Sequence, residues 1–131
     1  MILVDSNLPM YLVGAHAEWK HKARRVLDRA VTAGERLVTD AEVFQEILHR
    51  YVAINRREAI QPAFDALLGI ADQVLPVDAA AAGRAKEIVM GHRQMSARDA
   101  LHLAIMEHYG IERILSFDTG FDGFPGIERL S

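Results

Sequence analysis

The chain has 131 residues, of which half are apolar and a quarter charged, with a formal net charge of −3. These values are typical of an ordinary globular domain, so we expect one domain spanning residues 1–131. Because there is no cysteine, disulfides and thiolate metal sites are excluded. No apolar run reaches the roughly 18 residues of a membrane span, and no charged leader or cleavage site is evident. The negative charge argues against non-specific electrostatic binding of nucleic acid.

Short apolar runs alternate with helical patterns along the chain. Residues 1–4 predict a buried strand that ends at Asp5, and Pro9 marks the first turn of a short helix that runs to Gly14. Apolar periodicity and capping residues predict five further helices, over residues 16–33, from 39 or 40 to 51, 57–70, 79–90 and 96–109. Apolar runs predict four further strands, over residues 37–39, 74–77, 113–117 and 127–130.

This alternation of strands and helices predicts an α/β fold. A central parallel sheet of four to five strands is expected, with helices on both faces in three layers and right-handed crossover connections. In such sheets, ligands bind beyond the carboxyl ends of the strands. Asp5 and Asp118 both follow predicted strands, so the sequence places two acids at the edge where this architecture forms its sites.

Five acidic residues lie at strand ends or on helix faces: Asp5, Glu46, Asp99, Asp118 and Asp122. Taken singly, each acid could have a purely structural role. Asp5 suits a turn or a cap, Asp99 follows Ser96 as in a capping box, and Glu46 could be solvated. Glu42 is one turn earlier and competes with Glu46. Together they favour a metal site, because clustered carboxylates repel one another and are the ligands that hard divalent cations need. The set predicts metal-dependent phosphoryl transfer.

The order and context of these acids resemble the PIN-domain nucleases, and within them the VapC-type toxins of prokaryotic toxin–antitoxin pairs. The resemblance covers the whole chain, although Pro9 and the Gly14-Ala15-His16 stretch are less typical of the family's first region. Four segments carry it: Val4-Asp5-Ser6-Asn7, Glu42 to Leu48 around Glu46, Arg98 to Ala104 beginning Arg98-Asp99, and Ser116 to Asp122 with Asp118 and Asp122.

The resemblance implies a three-layer PIN-like fold and a Mg²⁺- or Mn²⁺-dependent endoribonuclease. It also implies an RNA substrate, a small antitoxin partner and a homodimer. A cytoplasmic location is expected, and the absence of cysteine is compatible with a reducing cytosol. Specific roles are expected for eight residues. The metal ligands would be Asp5, Asp99 and Asp118. Two further acids, Glu46 and Asp122, would act on the metal directly or through water. Three more residues would orient the site or contact a phosphate: Asn7, Ser116 and Arg98.

Two other functions stay open from the residues alone. A phosphatase with an aspartate nucleophile commonly has a second Asp two residues on and a late lysine, whereas this chain has Asn7 there and Lys86 as its last lysine. A non-catalytic domain of the same fold, binding RNA or protein, would be expected to have lost one or more of the acids, yet all five are present.

Basic, histidine and aromatic residues carry less specific predictions. The run from Lys20 to Arg25 is either a solvated helix face or an RNA contact. The six histidines show no paired metal-binding spacing and are interpreted as surface or core residues. The antitoxin is expected to insert a basic side chain among the acids and to use a groove on the early helices near Leu12, Trp19 and Tyr51.

Overall fold

A five-stranded parallel sheet lies at the centre of the computed structural model, which describes all 131 residues. The strands are β1 (Ile2–Val4), β2 (Leu37–Asp40), β3 (Val74–Leu75), β4 (Arg113–Leu115) and β5 (Glu128–Leu130). Their order in the sheet is β3-β2-β1-β4-β5, and every neighbouring pair is parallel. The first strand is therefore central, as expected for a strand that is apolar throughout.

Six helices connect and cover the strands. They are α1 (Asn7–Val13), α2 (Ala17–Thr32), α3 (Ala41–Ala53), α4 (Ile60–Ile70), α5 (Ala79–Gly91) and α6 (Ala97–Tyr109), with 3₁₀ turns at Arg57–Ala59 and Thr119–Phe121. No helix has both the length and the apolar character needed to cross a bilayer. The predicted three-layer α/β architecture is confirmed.

The two faces of the sheet bury different sets of side chains, because successive strand residues point to opposite faces. Ile2 and Val4 of β1 pack in a core cluster with residues of α1 to α4, including Val26 and Ile47. Leu3 belongs to the opposite cluster, which is built with α5 and α6. The central strand is thus covered on both sides.

Two predicted strands end two residues earlier in the structure. The strand predicted over 74–77 stops at Leu75, before Pro76, because proline has no backbone N–H for the ladder. The strand predicted over 113–117 stops at Leu115, and the Phe117 N–H donates to Oδ1 of Asn7 (3.2 Å). Residues 76–77 and 116–117, which were predicted as strand, therefore lie beyond the ends of β3 and β4 and can form the rim of a site.

Candidate active site

The site begins where β1 and β4 end side by side. The two strands pair in parallel with Val4 opposite Leu115, and the Asp5 N–H donates to the carbonyl of Leu115 (3.0 Å). Register therefore brings Asp5 next to Ser116. The Ser116 hydroxyl donates to Oδ2 of Asp5 (2.6 Å), and the Asp5 side chain is almost fully buried.

Ser116 is the centre of a hydrogen-bond network that also holds the following loop. Its Oγ accepts from Nδ2 of Asn7 (3.2 Å) and from the Asp118 N–H (3.0 Å). Asn7 in turn accepts from the Phe117 N–H. Asn7 and Ser116 therefore lie where the sequence predicted orienting residues, and together they restrain Asp5 and the loop that carries Asp118.

A buried histidine joins two further acids at this edge of the sheet. Nε2 of His102 lies 2.8 Å from Oε1 of Glu46, and Nδ1 lies 2.6 Å from Oδ2 of Asp40. Nε2 is also 3.7 Å from Oδ1 of Asp5. All four side chains are buried. Glu46 therefore reaches the predicted site through contact with His102.

Sequence reasoning missed His102 and assigned Asp40 only a capping role. The cap exists, since Oδ1 of Asp40 accepts from the Val43 N–H (3.0 Å), but Oδ2 is used by the histidine. One signal in the sequence pointed to His102. It follows Asp99 by three residues on α6, and residues at that spacing share a helix face.

Asp99 and Asp118 form the outer part of the site. The Asp99 N–H is capped by Oγ of Ser96 (3.1 Å), which places Asp99 in the first turn of α6. Burial, followed by the charges of Asp118 and Asp5, raises the pKa of the half-buried Asp99 carboxyl to about 6. This carboxyl therefore lies among like charges that no basic side chain fully offsets.

Gly120 shows how closely the outer carboxylates converge. A Cβ atom at this position would lie 3.0 Å from Oδ2 of Asp99 and 3.1 Å from Oδ1 of Asp118. The Gly120 N–H donates to that same Oδ1 of Asp118 (2.8 Å). A side chain at position 120 would therefore press against both carboxylates, and glycine avoids these contacts.

The donor atoms fit a hard divalent cation. Asp5, Glu46 and His102 each present a potential ligand atom within 4.8 Å of the others, but both His102 nitrogens face carboxylates and so act as donors. That leaves carboxylate oxygens, which Mg²⁺ and Mn²⁺ prefer. Burial, and to a lesser degree Glu46, raises the pKa of Asp5, against the opposing charge of His102. A cation would relieve this remaining repulsion.

Two predicted residues, Asp122 and Arg98, and the competing Glu42 lie outside this convergence or at its rim. Asp122 is exposed, and both its oxygens accept from Arg129 (2.8 and 3.1 Å), which lowers its pKa. Arg98 is exposed and makes no ion pair. Glu42 is half-buried, and burial and then Glu46 raise its pKa while His102 and Arg98 oppose the rise. The structure thus brings Glu46 rather than Glu42 against His102.

The aromatic residues divide between core and surface. Tyr51 is buried in the core beneath α1 to α4, so it offers no surface to a partner, contrary to the expectation for the early helices. Trp19 stacks on Tyr11 with ring centroids 4.9 Å apart, and Phe117 packs edge-on against both rings. Trp19 and Phe117 are half-buried.

Comparisons with known proteins agree with the acidic motifs. Residues 2–127 match the family model of the PIN domain. The chain is 60% identical over 131 residues to ribonuclease VapC13 of Mycobacterium tuberculosis, covering 100% of both. Among solved structures, the sarcin-ricin loop cleaving toxin VapC20 of Mycobacterium tuberculosis superposes with a TM-score of 0.71 at 24% identity over 97% of this chain and 98% of that one. VapBC2 of Rickettsia felis, bound to a promoter DNA fragment, gives 0.69 at 13% identity over 98% and 97%. The chain belongs to the PIN-domain family, among its VapC ribonucleases.

Proposed function

We propose that this PIN-domain ribonuclease is a toxin endoribonuclease that hydrolyses RNA phosphodiester bonds with Mg²⁺ or Mn²⁺ held by Asp5, Asp99 and Asp118. The observation that carries the proposal is the convergence of these carboxylates beyond the ends of β1 and β4, where the pKa of Asp99 is raised to about 6. Carboxylates that repel one another in the free protein are poised to take up a cation. Family membership supplies the reaction class.

Each residue of the site has a distinct role in this proposal. Ser116 and Asn7 hold the Asp5 carboxylate in one orientation, and His102 holds Glu46. A bound divalent cation supplies positive charge that activates water and offsets the charge of the transition state and leaving oxygen.

At the rim, Arg98 is exposed beside Asp99 and is available to contact a phosphate. Asp122 acts on the site through Arg129, whose Nη1 also donates to the carbonyl of Ser116 (3.1 Å). Asp122 therefore supports the loop and is not a metal ligand in this proposal.

Cleavage of a labelled RNA, with and without Mg²⁺, tests the function. Asp5→Asn, Asp99→Asn and Asp118→Asn should each reduce cleavage to the background seen with a chelator, while circular dichroism shows an intact fold. Asp28→Asn changes an exposed acid on α2 and should retain full activity. A variant among the first three with wild-type cleavage would remove that residue from the ligand set, and wild-type cleavage by all three would refute hydrolysis at this site.

We also propose a small antitoxin as partner. The fold neighbour from Rickettsia felis is a VapBC assembly, and an arginine guanidinium pairs bidentately with carboxylates, so an inserted arginine would replace the cation at Asp5, Asp99 and Asp118. Co-expression with a neighbouring gene for a small DNA-binding protein should give a complex with suppressed cleavage. A neighbour that neither co-purifies nor prevents growth arrest would contradict the antitoxin, and would leave the nuclease unaffected.

A homodimer and a cytoplasmic site of action complete the proposal. Leu48 and Val52 lie one turn apart on α3 and are 42% and 43% exposed, which supports contact with a second copy. Sedimentation of the purified chain, with Leu48→Lys as the disruptive variant, tests the dimer. The cytoplasm is proposed because the RNA substrate and its divalent cation are present there.

A further inference from the structure

A basic groove of about 430 Å³ lies between α2 and the end of β5. Four cationic side chains line it and no acidic side chain does: Lys22, Arg25, Arg29 and Arg129. Trp19 and Phe117 form its aromatic wall. In a chain with a net charge of −3, this is a local concentration of positive charge.

The groove shares a chain segment with the active site. Phe117 lies in the chain between Ser116, which holds Asp5, and Asp118. Arg129 reaches the same segment, since its Nη1 donates to the Ser116 carbonyl. The carboxylates of the acidic site do not attract a polyanion themselves, so cations beside the site would add to its binding energy.

The cations on α2 are spaced to follow an extended chain of phosphates. Lys22, Arg25 and Arg29 recur at three- and four-residue steps and so share one side of the helix. Seven residues of helix span about 10 Å. The row is therefore long enough to contact more than one phosphate of a single strand.

The three α2 cations differ in how far they are already engaged. Arg25 is exposed and makes no ion pair. Lys22 pairs with Glu18 at 3.2 Å, but both side chains are largely exposed, and such pairs contribute little. Arg29 donates to the Ser131 carbonyl (3.0 Å). Arg25 and Lys22 are thus the cations most available to a ligand.

The aromatic wall is fixed in place. Trp19 stacks on Tyr11 and meets Phe117 edge-on, and Nζ of Lys22 lies 4.7 Å from the Trp19 ring centroid. Trp19 is also the only tryptophan of the chain. A ligand in the groove therefore changes the surroundings of one identifiable fluorophore.

We propose that this groove binds the single-stranded RNA segment that flanks the scissile phosphate, with Arg25 and Lys22 contacting its phosphates. The inference rests on the ribonuclease function proposed above and extends it to a substrate-binding surface. The charge of the lining favours a phosphate chain over an apolar protein helix, because the three cations of α2 line the groove beside only two aromatic side chains, while Arg129 is paired with Asp122.

Binding of an unstructured, labelled ten-nucleotide RNA tests the groove, in the Asp118→Asn background so that the RNA stays intact. Arg25→Gln combined with Lys22→Gln should weaken binding about fivefold or more. In a plot of the logarithm of the binding constant against the logarithm of the salt concentration, the slope should become less steep by about 1.4. This corresponds to roughly 0.7 for each lost phosphate contact on a single strand. Arg24→Gln is the matched control, since Arg24 is the exposed neighbour of Arg25 on α2 but does not line the groove.

Trp19 fluorescence gives a second measurement in the Arg24→Gln and Arg25→Gln proteins. Saturating RNA should change the emission in both, with Arg25→Gln needing more RNA. Equal weakening by Arg24→Gln and Arg25→Gln, or unchanged emission at saturation, would overturn the proposal. An unchanged RNA affinity of the double variant would also overturn the proposal, and would favour a protein partner at this surface.

Cleavage kinetics with Asp118 intact separate this proposal from the nuclease function. Arg25→Gln should raise KM about fivefold and leave kcat near that of the wild type, because the groove contacts RNA away from the reacting bond. Absence of cleavage by the wild type would refute the nuclease, while the binding and fluorescence results would still decide the groove.

Discussion

His102 and Glu46 form a buried ion pair at the inner end of the acidic site, with Nε2 2.8 Å from Oε1. The opposite ring nitrogen faces Asp40 at 2.6 Å. Since both nitrogens face carboxylate oxygens, both donate and the ring is an imidazolium. Burial opposes this charge, but Asp40 and Glu46 raise the pKa of His102 well above its ordinary value. The protein thus supplies its own fixed cation to part of the acidic cluster.

His102→Gln should destabilise the protein strongly. Loss of one partner from a buried ion pair leaves the other charges unpaired and costs about 3–5 kcal/mol. Urea unfolding at neutral pH measures this free energy. His108→Gln, at the exposed C-terminal end of the same helix, should change it by less than about 0.5 kcal/mol. Equal stability of the two variants would mean that the imidazolium pairs contribute nothing to the fold.

The position of Asp5 and Asp118 was predictable because parallel strands end at one edge of a sheet, and that rule needs only the strand pattern. The His102–Asp40 pair was not, since it joins residues 62 positions apart and depends on how α6 packs beside β2. Asp122 was assigned to the cluster from its place in a motif. The Asp122 carboxylate instead pairs with Arg129 of β5, and no local sequence pattern specifies where that strand pairs in the sheet.

The apo protein should become less stable as pH rises from about 4 to about 6, through Asp99. Its pKa in the folded protein is about 6, above the value of 3.8 for the free side chain. A group with a raised pKa stabilises the fold below the unfolded value and loses that contribution as pH rises through the folded one. Allowing for solvent screening of this half-exposed group, the loss is on the order of 1 kcal/mol.

Asp99→Asn isolates this effect, because asparagine is neutral at every pH. In chelator, the unfolding free energy of the variant should exceed that of the wild type at pH 7, and the difference should shrink towards pH 4. Comparison with Asp28→Asn corrects for the remaining carboxylates. A variant that is less stable than the wild type at pH 7 would contradict the raised pKa.

Glu46 should matter more than Glu42 for metal binding. Glu46 is 5% exposed and contacts His102 close to Asp5, whereas Glu42 is nearer the surface. Removal of a supporting carboxylate typically lowers metal affinity about 10-fold or more. Calorimetric titration with Mn²⁺ should show this loss for Glu46→Gln and a change below about twofold for Glu42→Gln. A larger loss from Glu42→Gln would reverse the assignment.

Gly120→Ala should weaken metal binding while the fold stays intact. The new methyl group would lie 3.0 Å from Oδ2 of Asp99 and 3.1 Å from Oδ1 of Asp118, so at least one carboxylate has to shift by a few tenths of an ångström. The backbone at Gly120 does not have a positive φ, and alanine therefore adds no backbone strain. The methyl group should therefore displace a metal-binding carboxylate without straining the backbone, and metal affinity should fall about 10-fold.

Gly83→Ala provides the contrast that makes this result interpretable. Gly83 lies within α5 with no atom near its would-be Cβ, so alanine should stabilise the helix by about 0.5–1 kcal/mol and leave Mn²⁺ affinity unchanged. Calorimetry and thermal unfolding of both variants separate the two effects. If Gly120→Ala bound Mn²⁺ as tightly as Gly83→Ala, the open space between Asp99 and Asp118 would not be part of the metal site. If it lost stability in chelator as well, the loop and not the ligand geometry would be what the methyl group disturbs.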